Sequence, residues 1–366
     1  MRWDALAAGM SQTADVLRFE THCADDCPDH PQGPAVTDSP GWMPDHDPYW
    51  IYYCHKVSKQ LQQFAAECEP DLIAASGLEM TRYLSEIPAS VVARRVIDIK
   101  DVESQLRLDI AHATRDRPQY ADYASPEVAR QLGALERAAS SACDAVWTCT
   151  DRDRAELIDR YGLDPASIWV LPNAVAEPDE AAPTKPTRVV LIGNLRYFPV
   201  VQAAEYVIDV LTPALRRRRP ALEILLAGRG PSEALADKAA SAGVQIVADP
   251  EEMSPYWRDS VLVVPLSLGG GSRLKILEAF VSFCPVVSSA KGIEGITAQD
   301  GQHYFLAEDA ASYVDAVLRL IDDDTLRLAM VQRAREFVLA HNGISAVAGA
   351  FADFIKNDTG RSRGDR

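Results

Sequence analysis

Apolar residues along most of the chain fall into short runs that alternate with amphipathic stretches. The runs predict buried strands at 70–75, 91–99, 145–149, 168–171, 188–192, 222–227, 244–247, 261–264 and 285–289. Between them, apolar residues recur at helical spacing over 49–66, 127–141, 155–161, 201–215 and 232–241. Strands that alternate with helices predict a parallel sheet, because a parallel connection has to cross back over the sheet.

A proline-spaced stretch at residues 177–187 divides this pattern and is typical of a linker. The pattern therefore predicts an α/β fold with two Rossmann-like parallel-sheet domains that face each other across a cleft, at 1–176 and 188–342. A C-terminal helix and tail follow at 343–366. Residues before about Pro48 are rich in proline, glycine and aspartate and predict mostly loop, with a short helix at 5–16 and a short strand at 16–19.

Charge and composition narrow the function classes. The 366 residues include 53 acidic and 37 basic side chains, a net charge of −16, which would repel a phosphodiester backbone and excludes nucleic acid as the expected partner. No apolar run approaches the roughly 20 residues of a membrane span, so a cytoplasmic protein is expected. The seven scattered cysteines are expected to be reduced thiols. His22, Cys23, Cys27 and His30 lack a familiar zinc spacing, and no metal site is predicted.

The most informative segment follows the apolar run at 261–264, where Gly269, Gly270 and Gly271 precede Ser272 and a predicted helix. Glycines let a backbone approach a ligand closely, and a helix N-terminus presents unpaired N–H groups and a positive dipole end. The segment therefore predicts a phosphate-binding loop. Arg273 and Lys275 add positive charge. Glu278 lies on the same helical face as Lys275 and is suited to bind sugar hydroxyls beside a diphosphate.

Two simpler interpretations compete with this one. The glycines can form only a tight turn, and Lys275 with Glu278 can form only a surface ion pair of little energetic value. The position of the loop, which ends a strand and opens a helix that carries two cations, favours the functional interpretation. No Gly-Lys-Ser or Gly-Lys-Thr follows the glycines, so a mononucleotide P-loop is excluded.

The segments 265–279, 285–288 and 292–295 resemble the retaining group 1 glycosyltransferases of glycosyltransferase family 4. Weaker matches lie at 98–104, 171–175, 191–195 with Pro199, and 226–231. The resemblance implies the GT-B fold and transfer of a sugar from a nucleotide-diphosphate sugar, with retention of the anomeric configuration and no required metal or other cofactor. It implies a saccharide or lipid-linked acceptor, in cell-surface polysaccharide or glycoconjugate synthesis.

The resemblance assigns site residues on the donor side. Glu278 corresponds to the second glutamate of the family's Glu-x7-Glu motif, which holds the donor ribose, whereas the first glutamate is replaced by Gly270. The family's usual cations fall near Asn194 and Val200, neither of them charged. We therefore expect Arg196, Arg273 and Lys275 to stabilise the leaving diphosphate, with Gly193, Asn194 and residues 269–272 around the donor.

On the acceptor side, Asp101 and Glu103 follow a predicted strand and are candidates to orient or deprotonate the acceptor hydroxyl. The alternative is that Asp101 caps the helix that follows. The first strand and glycine turn of the family's N-terminal domain have no counterpart in this sequence, so we expect a late recorded start or an abbreviated acceptor domain. A catalytically impaired nucleotide-sugar-binding protein that acts through a partner therefore stays open, as does a nucleotide-sugar epimerase.

Arg216, Arg217, Arg218 and Arg219 end a predicted helix, where cations compensate the helix dipole. The alternative role is weak peripheral attraction to anionic lipid at the inner face of the membrane. Gly228, Arg229 and Gly230 follow a strand as a turn that can also belong to the site.

Overall fold

The computed structural model describes residues 2–17, 49, 52–117, 124–178, 182–271 and 273–358. These residues form two compact units. The first unit consists of residues 14–171. The second consists of the residues from Pro172 onward together with the start of the chain up to Thr13, so helix α1 (Arg2–Met10) belongs to it.

The first unit contains a four-stranded parallel sheet in the order β1-β2-β3-β4. Its strands are β1 (Leu72–Ser76), β2 (Arg94–Ile99), β3 (Ala145–Thr148) and β4 (Ile168–Val170). Its helices are α2 (His55–Cys68), α3 (Thr81–Ser85), α4 (Glu103–Ala113), α5 (Pro126–Ala142) and α6 (Asp151–Tyr161). Helix α6 begins where the Thr150 side chain accepts a hydrogen bond from the Asp153 N–H, and it ends at Gly162 with a left-handed φ of 64°.

The second unit contains a six-stranded parallel sheet in the order β10-β9-β8-β5-β6-β7. Its strands are β5 (Arg188–Ile192), β6 (Glu223–Gly228), β7 (Gln245–Ala248), β8 (Ser260–Val264), β9 (Val286–Ser288) and β10 (Phe305–Leu306). Strands β8 and β9 are buried throughout, as their continuous apolar sequence predicts for a sheet covered on both faces.

Helices connect these strands and complete the second unit. Helix α7 (Phe198–Tyr206) continues through a π-helical turn at Val207–Leu211 into α8 (Thr212–Arg218). The remaining helices are α9 (Glu233–Ser241), α10 (Ser254–Trp257), α11 (Leu274–Val281), α12 (Ala290–Ile293), α13 (Ala310–Asp322), α14 (Asp324–Asn342) and α15 (Ile344–Asp358).

The strand order of the six-stranded sheet reverses direction at β5. The chain runs from β5 outward to β6 and β7, and then crosses to the other side of β5 for β8, β9 and β10. The carboxyl ends of β5 and β8 are therefore neighbours at the point where the order reverses. Ligands of open parallel sheets bind at such a point.

The elements confirm the predicted alternation and differ in detail near the start of the chain. Helix α1 ends at Met10 and does not reach residue 16. Residues 16 and 17 are not in a strand, and Phe19 lies outside the described residues. Strand β2 begins at Arg94 because Val91 and Ala93 donate hydrogen bonds within a turn. Among the described helices, none has the length and apolar character of a membrane crossing.

Candidate functional site

The turns after β5 and β6 pack against each other at the reversal point. Gly228 has a φ of 155°, and a methyl group on it would lie 1.6 Å from the Gly193 carbonyl oxygen. The Gly193 N–H donates to the Ala227 carbonyl at 3.0 Å, and the Leu195 N–H donates to the Arg229 carbonyl at 2.9 Å. Only glycine permits this approach and this backbone angle at position 228. The predicted Gly228-Arg229-Gly230 turn therefore supports the Gly193 turn.

The glycine loop after β8, defined here as residues 265–271, borders the same edge. Gly269 and Gly271 have φ values of 132° and 62°, which other residues rarely adopt. Within the described part of the chain, the N–H groups of residues 268–271 have no acceptor. Ser272, the remaining predicted member of the loop, lies outside the described residues. Among the described residues, these amides are thus left for a ligand, as a phosphate-binding loop requires.

Lys275 reaches from α11 to the Gly193 turn. A methyl group on Gly193 would lie 2.8 Å from the Lys275 Nζ, so the ammonium group occupies the space above that glycine. The side chain is half-buried, and among the described residues it forms no hydrogen bond or ion pair. Burial and the nearby Arg273 lower the pKa of Lys275 to about 8, whereas Glu278 acts in the opposite direction. Among the described residues, Lys275 is therefore a cation without an ion-pair partner.

Glu278 lies one helical turn farther along the same face of α11. Burial raises the pKa of its carboxyl group to about 7, and positive charges, that of Lys275 among them, oppose this shift. Lys275 and Glu278 form no salt bridge with each other or with any other described residue. The alternative interpretation of a surface ion pair is therefore wrong. Each charge is kept half-buried at an energetic cost that a ligand would offset.

The other predicted donor-side cations have protein partners. The Arg273 guanidinium is buried and turned into the glycine loop, where it donates to the carbonyls of Gly270 and Gly271. The exposed Arg196 lies against the turn after β6, with its Nε 3.4 Å from the Gly230 carbonyl oxygen. Asn194 is exposed, and its Oδ1 accepts from the Arg196 N–H at 3.1 Å. Of the three predicted cations, Lys275 is the one whose charged group has no hydrogen-bond partner among the described residues.

In the first unit, Asp101 and Glu103 follow β2 as predicted. The Glu103 carboxylate accepts hydrogen bonds from Tyr49 Oη at 2.5 Å and from Arg107 Nη2 at 3.1 Å. Burial raises the pKa of the Tyr49 hydroxyl, and so does the Glu103 charge, so Tyr49 stays a donor. Glu103 is therefore committed to structural partners. The N-cap of α4 is Val102, without a side-chain hydrogen bond, so the alternative of Asp101 as the helix cap is wrong.

One buried carboxyl group escaped the sequence analysis. Glu136 of α5 has no exposed surface, and its two oxygens accept from the Ser104 N–H at 3.0 Å and the Ser104 hydroxyl at 2.6 Å. The Tyr161 hydroxyl donates to it as well. Burial raises its pKa, whereas these hydrogen bonds lower it. Its place on the apolar face of α5, beside Leu132, Leu135 and Ala139, was the available signal. These contacts hold the first turn of α4, which follows Asp101 in the chain.

A family model and a curated protein each match part of the chain. Residues 186–323 match the family model described as glycosyl transferases group 1. The D-inositol 3-phosphate glycosyltransferase of Kineococcus radiotolerans is 28% identical over 250 residues, which are 57% of this chain and 56% of that protein. The chain thus spans little more than half the length of this curated relative.

Solved structures share the fold at low sequence identity. HepE from Anabaena, crystallised with UDP and glucose, superimposes with a TM-score of 0.64 at 13% identity over 82% of this chain and 81% of HepE. TarM from S. aureus has a TM-score of 0.63 at 14% identity over 81% of this chain and 58% of TarM. These likenesses confirm the predicted fold class, two parallel-sheet α/β domains of the GT-B kind. The Gly193 turn, the glycine loop, Lys275 and Glu278 lie within the residues that match the family model described as glycosyl transferases group 1.

Proposed function

We propose that the chain is a retaining glycosyltransferase of family 4 that takes its sugar from a nucleotide-diphosphate donor. In this proposal the donor lies at the edge where the Gly193 turn meets the glycine loop. The loop amides and Lys275 bind the diphosphate, and Glu278 accepts hydrogen bonds from sugar hydroxyls, the ribose among them. No metal or other cofactor takes part.

One observation carries the proposal: Lys275 and Glu278 are half-buried and have no ion-pair partner among the described residues, and the amides of the glycine loop have no acceptor among those residues either. Unpaired charges at a sheet edge destabilise a fold unless a ligand pairs them. A sugar nucleotide supplies both complements, an anion for Lys275 and the amides, and hydroxyl donors for Glu278. The UDP in the HepE structure and the glycosyltransferase name of the K. radiotolerans relative support the same donor class.

The chemistry follows from the charge that develops during transfer. The bond between the anomeric carbon and the diphosphate oxygen breaks, and the acceptor oxygen bonds to the same face of the sugar. The acceptor hydroxyl loses its proton, which the departing diphosphate takes up. Negative charge grows on the leaving diphosphate, and fixed N–H groups with a partly desolvated ammonium stabilise it more strongly than water does. Lys275 is thus the residue to which we assign leaving-group stabilisation.

The acceptor is proposed to be a saccharide or lipid-linked molecule in the assembly of cell-surface polysaccharide or glycoconjugate. Asp101 is the carboxylate that we assign to the acceptor hydroxyl, because it follows β2 at the carboxyl end of the strand, where ligands of parallel sheets bind. The protein is proposed to work in the cytoplasm or at the inner face of the membrane. The arginines at the end of α8 contribute little there, because three of the four are bound within the protein. Arg216 donates to the carbonyls of Ala242 and Gly243, Arg218 forms an ion pair with Asp315, and Arg219 forms one with Asp322.

Donor binding is tested by titration calorimetry with UDP, GDP and UDP-glucose. At least one of these should bind the wild-type chain, and Lys275→Met and Glu278→Gln should each weaken that binding about tenfold or more. The matched controls are Lys238→Met, which removes an exposed ion pair with Asp209, and Glu336→Gln on α14. Equal affinity of Lys275→Met and Lys238→Met would remove Lys275 from the site.

Transfer is tested separately from binding. The enzyme should release free nucleotide slowly from a donor that it binds, and faster with a crude lipid and saccharide extract, yielding a product of the donor's anomeric configuration. Asp101→Asn should suppress the acceptor-dependent rate and leave donor affinity unchanged. Donor binding with no release identifies a binding protein. A changed sugar on the intact nucleotide without acceptor identifies an epimerase.

A further inference from the structure

Arg273 is the most buried cation near the glycine loop and immediately precedes α11. Only 8% of its surface is exposed. Its Nη1 donates to the Gly270 carbonyl and, at 3.3 Å, to the Gly271 carbonyl, whereas its Nη2 donates to the Lys291 carbonyl at 3.2 Å. Its Nε is shielded from solvent. One guanidinium therefore links the loop after β8 to α12, which follows β9.

These contacts determine which way the loop peptides face. In a planar trans peptide the C=O and N–H groups point in opposite directions. Because the Gly270 carbonyl points at the guanidinium, the Gly271 N–H of the same peptide points away from it. That N–H has no acceptor within the described residues. One peptide orientation therefore both points the Gly270 carbonyl at Arg273 and turns the Gly271 N–H away from it.

Glycine allows this orientation of the loop peptides but does not by itself maintain it. A methyl group on Gly269 would lie 2.9 Å from the Arg273 Nη2, so the guanidinium occupies the space that a side chain would need. Glycine peptides change orientation easily, because glycine adopts positive and negative φ values alike. A planar fork of donors holds several carbonyls in a fixed geometry, which a lysine ammonium cannot reproduce.

We propose that Arg273 is a positioning residue that aims the loop amides at the diphosphate and does not itself contact the donor. The inference rests on the proposed function, since it names the role of one residue in the proposed donor site. It replaces the expectation that Arg273 stabilises the leaving diphosphate through its own charge. The charge that the ligand meets directly is that of Lys275.

The test compares Arg273→Lys, Arg273→Gln and Arg273→Ala with Lys275→Met, by calorimetry with UDP at several salt concentrations. Arg273→Lys and Arg273→Gln should both lose about tenfold or more in affinity, because both lack the fork. Their dependence of Kd on salt should match that of the wild type, whereas Lys275→Met should flatten it, because salt screens charges that face the ligand. Low concentrations of guanidinium should restore binding to Arg273→Ala and leave Lys275→Met unchanged.

Three results would overturn the inference: wild-type affinity in Arg273→Lys, a flattened salt dependence in Arg273→Gln, or no rescue of a folded Arg273→Ala by guanidinium. If Arg273→Ala does not fold, Arg273→Lys and Arg273→Gln decide the matter through affinity and salt dependence. Failure of the proposed function has a different signature, because the wild-type chain then binds none of UDP, GDP and UDP-glucose. A wild type that binds UDP, is weakened by Lys275→Met and is indifferent to Arg273→Lys refutes only the positioning role.

Discussion

Lys275 and Glu278 show how a candidate site can retain charges for which the described part of the chain supplies no ion-pair partner. Both side chains are half-buried on one face of α11, and their pKa values move in opposite directions, to about 8 and about 7. In each case burial is the main cause, because removal from water disfavours the charged form. Charges kept for a ligand at the expense of the free protein are a common feature of binding and catalytic sites.

Replacing Lys275 with methionine should stabilise the ligand-free protein while it weakens donor binding. The folded-state pKa of Lys275 lies below its ordinary 10.5, so the cost of burying the charge is fully present below pH 8 and disappears as the pH rises toward 10.5. Removing it should add about 1–2 kcal/mol at pH 7, or about 2–4 °C in Tm per kcal/mol. Differential scanning calorimetry between pH 6 and 10.5 measures the gain.

The control for this prediction is Lys238→Met, which removes a lysine from an exposed ion pair. It should leave Tm within about 1 °C of the wild type, since exposed pairs contribute little. A Lys275→Met protein that is less stable than the wild type at pH 7, or whose gain grows toward pH 10.5, would contradict the assignment of an unpaired buried charge.

The affinity for a sugar nucleotide should depend on pH in a bell-shaped manner. Below about pH 7 Glu278 becomes protonated and accepts hydrogen bonds less well, and above about pH 8 Lys275 loses its charge. Binding should therefore be tightest between pH 7 and 8. Calorimetry with UDP-glucose is suitable, because the diphosphate diester keeps its charge over this range.

Two variants show which residue causes each limb of this pH profile. Glu278→Gln should remove the acidic limb and keep the alkaline one, whereas Lys275→Met should do the reverse. An unchanged acidic limb in Glu278→Gln would show that another group titrates there.

At the scale of elements, the site depends on how closely three turns approach one another. Gly228 contacts the Gly193 carbonyl, and Gly193 in turn leaves room for the Lys275 ammonium group. The glycine loop closes the arrangement from the side of β8. Turns after neighbouring parallel strands thus supply a contact surface that no single element possesses.

Gly193→Ala tests this packing. The added methyl group would lie 2.8 Å from the Lys275 Nζ and 2.9 Å from the Val200 Cγ1, so the ammonium group has to move. Affinity for UDP should fall about tenfold, with a small loss of Tm. In a Lys275→Met background the same substitution should have no further effect on affinity, which a double-mutant cycle measures.

Gly349→Ala is the matched control, because nothing lies within 4 Å of a methyl group at this position of α15. It should leave affinity unchanged and raise stability by about 0.5–1 kcal/mol through helix propensity. The contrary result is that Gly193→Ala weakens binding as much in the Lys275→Met protein as it does in the wild type. Gly193 would then act independently of Lys275.

The elements that the sequence predicted well are those whose signal is local. Continuous apolar runs specified β5, β8 and β9, and glycine followed by cations indicated the loop and α11. Local spacing did not reveal that Arg273 faces inward, because its acceptors include the Lys291 carbonyl on a different connection. Likewise, the i,i+3 spacing of Lys275 and Glu278 permits an ion pair, and only the packing around α11 shows that none forms.

At the scale of the whole molecule, the features that stayed beyond sequence reasoning join distant parts of the chain. The strand order of the second sheet, which brings β5 next to β8, is set by pairing between residues some 70 positions apart, such as Arg188 and Ser260. The membership of α1 in the second unit is of the same kind. No local pattern in residues 2–10 indicates that their partner is α15.

The packing of α1 on α15 gives the last prediction, because it makes the stability of the second unit depend on the start of the chain. Leu6 is fully buried on α1, and a methyl group on Gly9 would lie 3.1 Å from the Ile344 carbonyl oxygen, so the helices approach closely. Leu6→Ala should therefore cost about 2–4 kcal/mol. The loss should appear in hydrogen exchange as weaker protection of 188–192 and 344–358, with little change at 94–99. Leu132→Ala, a buried leucine of α5, is the matched control and should give the opposite distribution, since each truncation opens a cavity in its own core. Loss of protection at 94–99 in Leu6→Ala, without loss at 344–358, would show that α1 does not support the unit that carries the proposed donor site.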